Sequence, residues 1–81
     1  MKRWILLDSV DKVREFVSYT QKLSYDVDME SSRRQYLDAK SILGIMSCDI
    51  RKPVKIEIHA DEEECQEYLD YIDKFVVTQA V

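Results

Sequence analysis

Lys40-Ser41-Ile42-Leu43-Gly44-Ile45-Met46-Ser47 is the stretch on which the reading of this chain turns. It sets a serine, a preferred helix cap, before a short apolar segment and puts the chain's single glycine inside it. A glycine in a helix interior costs about 1 kcal/mol against alanine, so its presence asks for a packing reason. The spacing predicts a short helix over residues 41–48. Downstream, Pro53 opens a strand in which Val54, Ile56 and Ile58 point one way and Lys55, Glu57 and His59 the other. Upstream, Asp26, Val27, Asp28, Met29 and Glu30 alternate polar and apolar, as a strand with one wet face does. Ser31-Ser32-Arg33-Arg34 serves as a turn, and residues 35–38 form the returning strand.

The ends of the chain complete the order. Residues 2–7 are a short apolar run before a capping signal, which reads as a buried strand. Asp8 or Ser9 then caps a helix whose Val10, Val13, Phe16, Val17, Thr20 and Leu23 recur at three- and four-residue steps. At the other end, Asp61 with Glu64 makes an aspartate version of the capping box, and Glu62 and Glu63 favour the positive helix end. Cys65, Tyr68, Leu69, Ile72, Phe75 and Val76 trace the apolar stripe of the last helix. The order is βαββαβα. Strands with one apolar face and helices with one apolar stripe bury both only by layering, so an α+β open-faced sandwich is expected. Periodicity alone does not separate a ferredoxin-like sheet with an added helix from other antiparallel orders.

Composition narrows the function classes. The 81 residues, 46% hydrophobic and 35% charged, suit one folded domain over residues 1–81 and argue against disorder. A formal net charge of −4 gives no global support for binding nucleic acid or an acidic membrane, and Arg33-Arg34 and Arg51-Lys52 are too short to reverse that. No apolar run approaches the roughly 20 residues that span a bilayer. Met1-Lys2-Arg3 followed by Trp4-Ile5-Leu6-Leu7 imitates a signal peptide, but Asp8 ends the run well short of the roughly 7–15 residues of a real one. A cytoplasmic protein is expected. Cys48 and Cys65 lie in no metal-type spacing, and the single histidine cannot complete a zinc set with them, so no metal and no cofactor is expected. Both cysteines read as buried hydrophobes or free thiols.

The central stretch carries a family resemblance. Lys40-Ser41-Ile42, Gly44 and Met46-Ser47, with the strand that follows and Ala60-Asp61-Glu62-Glu63-Glu64, resemble the HPr proteins, small phosphocarriers of the bacterial sugar phosphotransferase system. The resemblance implies an HPr-like fold: an antiparallel four-stranded sheet covered on one face by three helices. It also implies a chemistry. In HPr proteins a Gly-Leu-His-Ala-Arg-Pro-Ala-like turn follows the first strand. Its histidine takes a phosphoryl group from phosphoenolpyruvate through enzyme I and passes it to a sugar-specific transporter subunit. Helix N-terminal amides and an arginine stabilise the added phosphate. Aligned without gaps back from Phe16 and Val17, this chain has Ser9 at the histidine position, Asp11 at the arginine position and Lys12 at the proline position. No histidine precedes His59. Ser9 has no base beside it in sequence, and Asp8 and Asp11 put carboxylates where a phosphoryl group would sit. These three residues also have a plain reading, as the cap and acidic first turn of a helix.

The remaining candidates follow from the same comparison. His59 shares the polar face of its strand with Lys55 and Glu57 and ends that strand away from the first helix, which points to an exposed strand-end side chain. Ser41 matches the serine that a dedicated kinase phosphorylates in many Gram-positive members, and it is equally a helix-start residue. Met46, Ile50, Arg51 and Lys52 would lie on the surface the family uses for partners, although Ile50 could instead pack beneath its loop. The expected role is a catalytically silent regulatory or protein-binding module. Its partners would be phosphotransferase-system components or a carbon-catabolite regulator. The alternatives are an active phosphocarrier with an unconventional acceptor and a stand-alone interaction domain that keeps only the fold.

Overall fold

Val54, Ile56 and Ile58 occupy alternate positions of one strand, and all three are buried. A strand whose every second residue must leave water needs a covering layer on that side. The computed structural model describes residues 1–31 and 34–78 and supplies it. The elements are β1 (Lys2–Ile5), α1 (Val10–Thr20), β2 (Val27–Glu30), β3 (Tyr36–Asp38), α2 (Ile42–Met46), β4 (Val54–Ile58) and α3 (Gln66–Ile72). A single 3₁₀ turn, Asp73–Phe75, continues α3. The four strands pair antiparallel in the order β1-β4-β2-β3. The α+β sheet with three helices over one face is the HPr-like arrangement.

Register fixes which side chains face the helices. Ile5 pairs with Val54, and Met29 with Ile56, so Ile5, Val27, Met29, Val54, Ile56 and Ile58 form one apolar face. The other face carries Trp4, Lys55 and Glu30 in one row and Lys2, Glu57 and Asp28 in the next. Lys55 lies 3.4 Å from the Glu30 carboxylate and 5.9 Å from the Trp4 ring centre. On α1, Val13, Phe16, Val17 and Thr20 are buried, and on α3 Tyr68 and Ile72 are. Phe16 meets Tyr68 and Phe75 with ring centres 6.5 and 6.2 Å apart, which joins α1 to α3. The polar member of the α1 stripe is satisfied: Thr20 Oγ1 lies 2.8 Å from both the Phe16 carbonyl oxygen and the Tyr68 hydroxyl.

Several boundaries differ from the sequence reading, each for a tertiary reason. β1 ends at Ile5, not at residue 7, because the Leu6 amide donates to the Phe75 carbonyl and Leu7 turns into the core. Val10 is 44% exposed rather than a core residue, since it stands one position outside the buried stripe. Val76 leaves the helix, bridges Ile5 and is 36% exposed, and the Val77 amide donates to the Trp4 carbonyl. The α2 helix covers Ile42–Met46, with Ser41 as its cap and not its first residue. Asp61 does accept the Glu64 amide at 2.8 Å, but the chain makes turns before α3 begins at Gln66. Of the 31–34 turn, Ser32 and Arg33 lie outside the described residues.

The tyrosines of the α1–α3 seam make stability sensitive to alkali. Burial pushes the phenols of Tyr68 and Tyr71 well above the ordinary value of 10, and for Tyr71 the Glu15 carboxylate that accepts its hydroxyl adds to the effect. Above that pH the unfolded chain releases tyrosine protons that the folded chain keeps, so stability falls as pH rises. Urea midpoints measured between about pH 9 and pH 11 should therefore drop for the natural chain. In a Tyr68→Phe, Tyr71→Phe variant the drop should be clearly smaller, and an equal drop would contradict this account.

Candidate functional site

The N-terminus of α1 is assembled from the end of β1 and the loop before β4. Asp8 adopts a left-handed backbone with φ of 49°, a conformation that aspartate tolerates better than most residues. This bend reverses the chain after Leu7 and brings the Asp8 amide within 3.0 Å of the Ile50 carbonyl. Ser9 is the extended N-cap, and its Oγ accepts the Lys12 amide at 3.2 Å. The Asp8 carboxylate pairs with Lys12 Nζ at 3.0 Å, and Asp11 adds a second exposed acid in the first turn. The helix end is thus capped by a serine hydroxyl and flanked by carboxylates, the charge its dipole favours.

The stretch around α2 supplies the neighbouring surface. Ser41 Oγ accepts the Gly44 amide at 3.2 Å. A Cβ on Gly44 would lie 3.3 Å from that same oxygen and 3.5 Å from Ser41 Cβ, tighter than most such contacts. The glycine therefore makes room for the cap serine of its own helix, while the nearest atom of another element, Leu37 Cβ, is 4.0 Å away. Lys40 Nζ donates to the Leu23 carbonyl at 3.0 Å, so it is engaged beyond the end of α1 and away from the Ser41 hydroxyl. Ile42 and Ile45 turn inward, whereas Leu43 is 83% exposed and Met46 41%.

The loop after α2 is held by its own residues. Asp49 accepts the backbone amide and the guanidinium of Arg51, both at 3.1 Å, and these bonds hold its carboxyl below the usual range. Ile50 is half-buried and packs against the core beside Leu7, Met29, Ile45, Cys48 and Val54. Met46, Arg51 and Lys52 are exposed. The Asp8–Ile50 bond brings the α2–β4 loop, with Arg51 and Lys52, to the α1 N-terminus with Ser9 and Asp11, while Met46 ends α2 before that loop and Ser41 stands at the other end of α2. Leu43, the most exposed large apolar residue named here, is missing from the sequence-derived set. Its three-residue spacing from Met46, one step out of phase with Ile42 and Ile45, is the signal that could have found it.

His59 lies elsewhere. β4 begins at Val54 opposite Ile5, near α1, and runs away from it to His59, whose Nε2 is 2.7 Å from the Asp28 carboxylate. Cys65 is buried, and burial raises the thiol pKa of Cys48. Among the described residues no group of three histidine, cysteine, aspartate or glutamate side chains is placed to hold a metal, and no helix is long and apolar enough to cross a membrane.

Comparison with known proteins places the fold. The family model described as "PTS HPr component phosphorylation site" matches residues 12–78. The chain belongs to the PTS HPr family. HPr is a phosphocarrier and not an enzyme proper, and HPr proteins interact with other components of the phosphotransferase system. Two solved structures are similar in fold. One is HPr-C-His from Thermoanaerobacter tengcongensis, with TM-score 0.68 and 24% identity, covering 91% of this chain and 92% of that one. The other is a phosphocarrier protein HPr from Bacillus anthracis str. Ames, with TM-score 0.70 and 19% identity, covering 95% and 96%. Comparison with curated protein sequences found no match. The family match opens at Lys12, so the cap residues Asp8, Ser9 and Asp11 of this HPr homologue lie just before it.

The pairing of Ser41 with Gly44 is testable by a double-mutant cycle. Ser41→Ala should cost about 1 kcal/mol through loss of the cap. Gly44→Ala should change stability by less than about 0.5 kcal/mol in the natural chain, because the tight contact with Ser41 Oγ offsets the gain in helix propensity. In the Ser41→Ala background the same substitution should stabilise by about 1 kcal/mol. Equal effects in both backgrounds, read from urea midpoints, would contradict the assignment.

Proposed function

We propose that this HPr homologue is a regulatory or protein-binding member of its family that does not carry a phosphoryl group by the histidine mechanism. The observation that carries this reading is the α1 N-terminus. There the Ser9 hydroxyl is taken up as a cap, the Asp8 carboxylate is bound to Lys12, and Asp11 stands at the position the sequence alignment gives to the family's arginine. A phosphoryl group brought to this helix end would meet two carboxylates, and like charges at such range repel. Ser9 has the Lys12 amide and no imidazole beside it, so nothing draws off its proton. The single histidine is bound to Asp28 at the far end of β4.

Binding draws on a different set of atoms. Leu43 and Met46 present one apolar face of α2, Val10 adds an exposed apolar residue on α1, and Arg51 and Lys52 lie on the adjoining loop. Apolar anchors ringed by charge suit a protein partner, and burying Leu43 fully would contribute about 1.5–3 kcal/mol. Phosphotransferase-system components or a carbon-catabolite regulator are the partners this reading names. Ser41 is the candidate for control. Its oxygen already faces the Gly44 amide, and phosphorylation would set further acceptor oxygens against that helix end while adding charge beside Leu43.

Calorimetric titration against these partners tests the reading. The natural chain should bind at least one of them, and Leu43→Asp should weaken that binding by about tenfold or more with the fold intact by circular dichroism. Treatment with the family's serine kinase should give a phosphoryl adduct that Ser41→Ala abolishes. Failure to bind any component, or full binding by Leu43→Asp, would count against the docking surface, and the absence of an adduct would remove Ser41 from the account.

A further inference from the structure

Tyr19 and Tyr25, close together in sequence, meet the distant Tyr68 at the C-terminal end of α1. Tyr19, Tyr25 and Tyr68 line a cleft of about 400 Å3 together with Lys22, Leu23, Ser24, Glu64 and Glu67. Tyr68 is its buried part, 1% exposed and with its hydroxyl satisfied by Thr20. Tyr19 lies over Tyr68 at 26° with ring centres 5.8 Å apart, and Tyr25 meets Tyr68 at 73° and 6.4 Å. Tyr19 is also stacked on Tyr71, at 7° with ring centres 3.8 Å apart, so one of its faces is covered, and the half-buried Tyr19 and Tyr25 rings are the aromatic surface the cleft offers a cation.

Two further features point to the same charge. Glu64 and Glu67 are exposed carboxylates on the α3 side, against the single cation Lys22. Their field reaches the tyrosine hydroxyls: burial raises both phenols first, then Cys65, Glu64 and Glu67 add to it at Tyr25 and Glu67 at Tyr19. The α1 helix also ends here, with no basic residue in its last turn, so the negative end of its dipole has no partner from within the helix. Lys40, bound to the Leu23 carbonyl, is the nearby cation supplied from outside it.

We propose that this cleft binds an organic ammonium group, held by the half-buried Tyr19 and Tyr25 rings above the buried Tyr68 and by the Glu64 and Glu67 carboxylates. An anion would meet two acids there, and an uncharged ligand would forgo both the carboxylates and the ring quadrupoles. The ammonium group is either that of a free quaternary ammonium compound or the end of a partner's lysine side chain. The cleft is at the C-terminal end of α1, beside Lys40 and the start of α2, whereas Val10, Arg51 and Lys52 of the surface proposed for protein partners are at the other end of α1.

Titration of the full chain with choline at fixed ionic strength, followed through amide NMR shifts, tests the proposal. Shifts at Tyr19, Tyr25 and Tyr68 should saturate with a Kd on the order of 10 mM or tighter. The uncharged isostere 3,3-dimethylbutan-1-ol should bind at least about threefold more weakly. Glu67→Gln should weaken choline binding about threefold, and Lys22→Gln should tighten it about twofold, since one removes an attractive charge and the other a repulsive one. Both side chains are exposed, so neither change threatens the fold. N-acetyl-lysine-N-methylamide separates the two sources: tighter binding than choline assigns the cleft to a lysine side chain, weaker binding to a free quaternary ammonium. Equal affinity for the isostere, unchanged affinity in both variants, or no saturating shifts at these tyrosines would overturn the proposal.

Discussion

Burial of Val54, Ile56 and Ile58 along β4 is the constraint on which the rest of the molecule depends. β4 lies between β1 and β2, so its register sets theirs, and the apolar residues of all three fall on one side of the sheet. That side must be covered, and α1 and α3 cover it with Phe16, Tyr68, Ile72 and Phe75. Once α1 is laid on the sheet, its two ends are committed. The N-terminus meets the start of β4 through the bond between Asp8 and Ile50, and the C-terminus meets the opening of α3 at Tyr68.

The chemistry of the two helix ends follows from that placement. At the N-terminus the dipole favours negative charge, the property that suits such an end to a phosphoryl group. Here the same preference is met by the chain's own Asp8 and Asp11, with Ser9 as the cap. The HPr fold is thus kept, with a serine cap and two carboxylates at the end of α1. The exposed apolar residues of α2 have no structural need to face water, which is why they are read as a surface for a partner.

Much of this was legible in the sequence, and what was not has a physical reason. The order βαββαβα could be read because each element repeats at its own period, and Ser41 with Gly44 pointed to the family fold that orders the strands. Leu6, Leu7 and Val76 were misplaced because apolarity continues past the point where a tertiary bond turns the chain, Leu6 to Phe75 and Val77 to Trp4. The role of Gly44 was half visible: the glycine asked for a reason, but that the reason is the cap serine of its own helix needed coordinates. The absence of histidine before residue 59 is plain in the sequence, whereas the tie between Asp8 and Lys12 and the exposure of Leu43 depend on side-chain placement. The tyrosine cleft had no sequence signal, since Tyr19, Tyr25 and Tyr68 share no element and no spacing.

In the proposed reading, the acids and cap at the α1 N-terminus leave no place for a phosphoryl group. Intact-mass spectrometry of the full chain, after incubation with phosphoenolpyruvate and enzyme I beside a histidine-bearing HPr, tests it directly. The control should gain a phosphoryl group, and this chain should keep its unmodified mass. A phosphoryl adduct on this chain, above all one lost in Ser9→Ala, would contradict it.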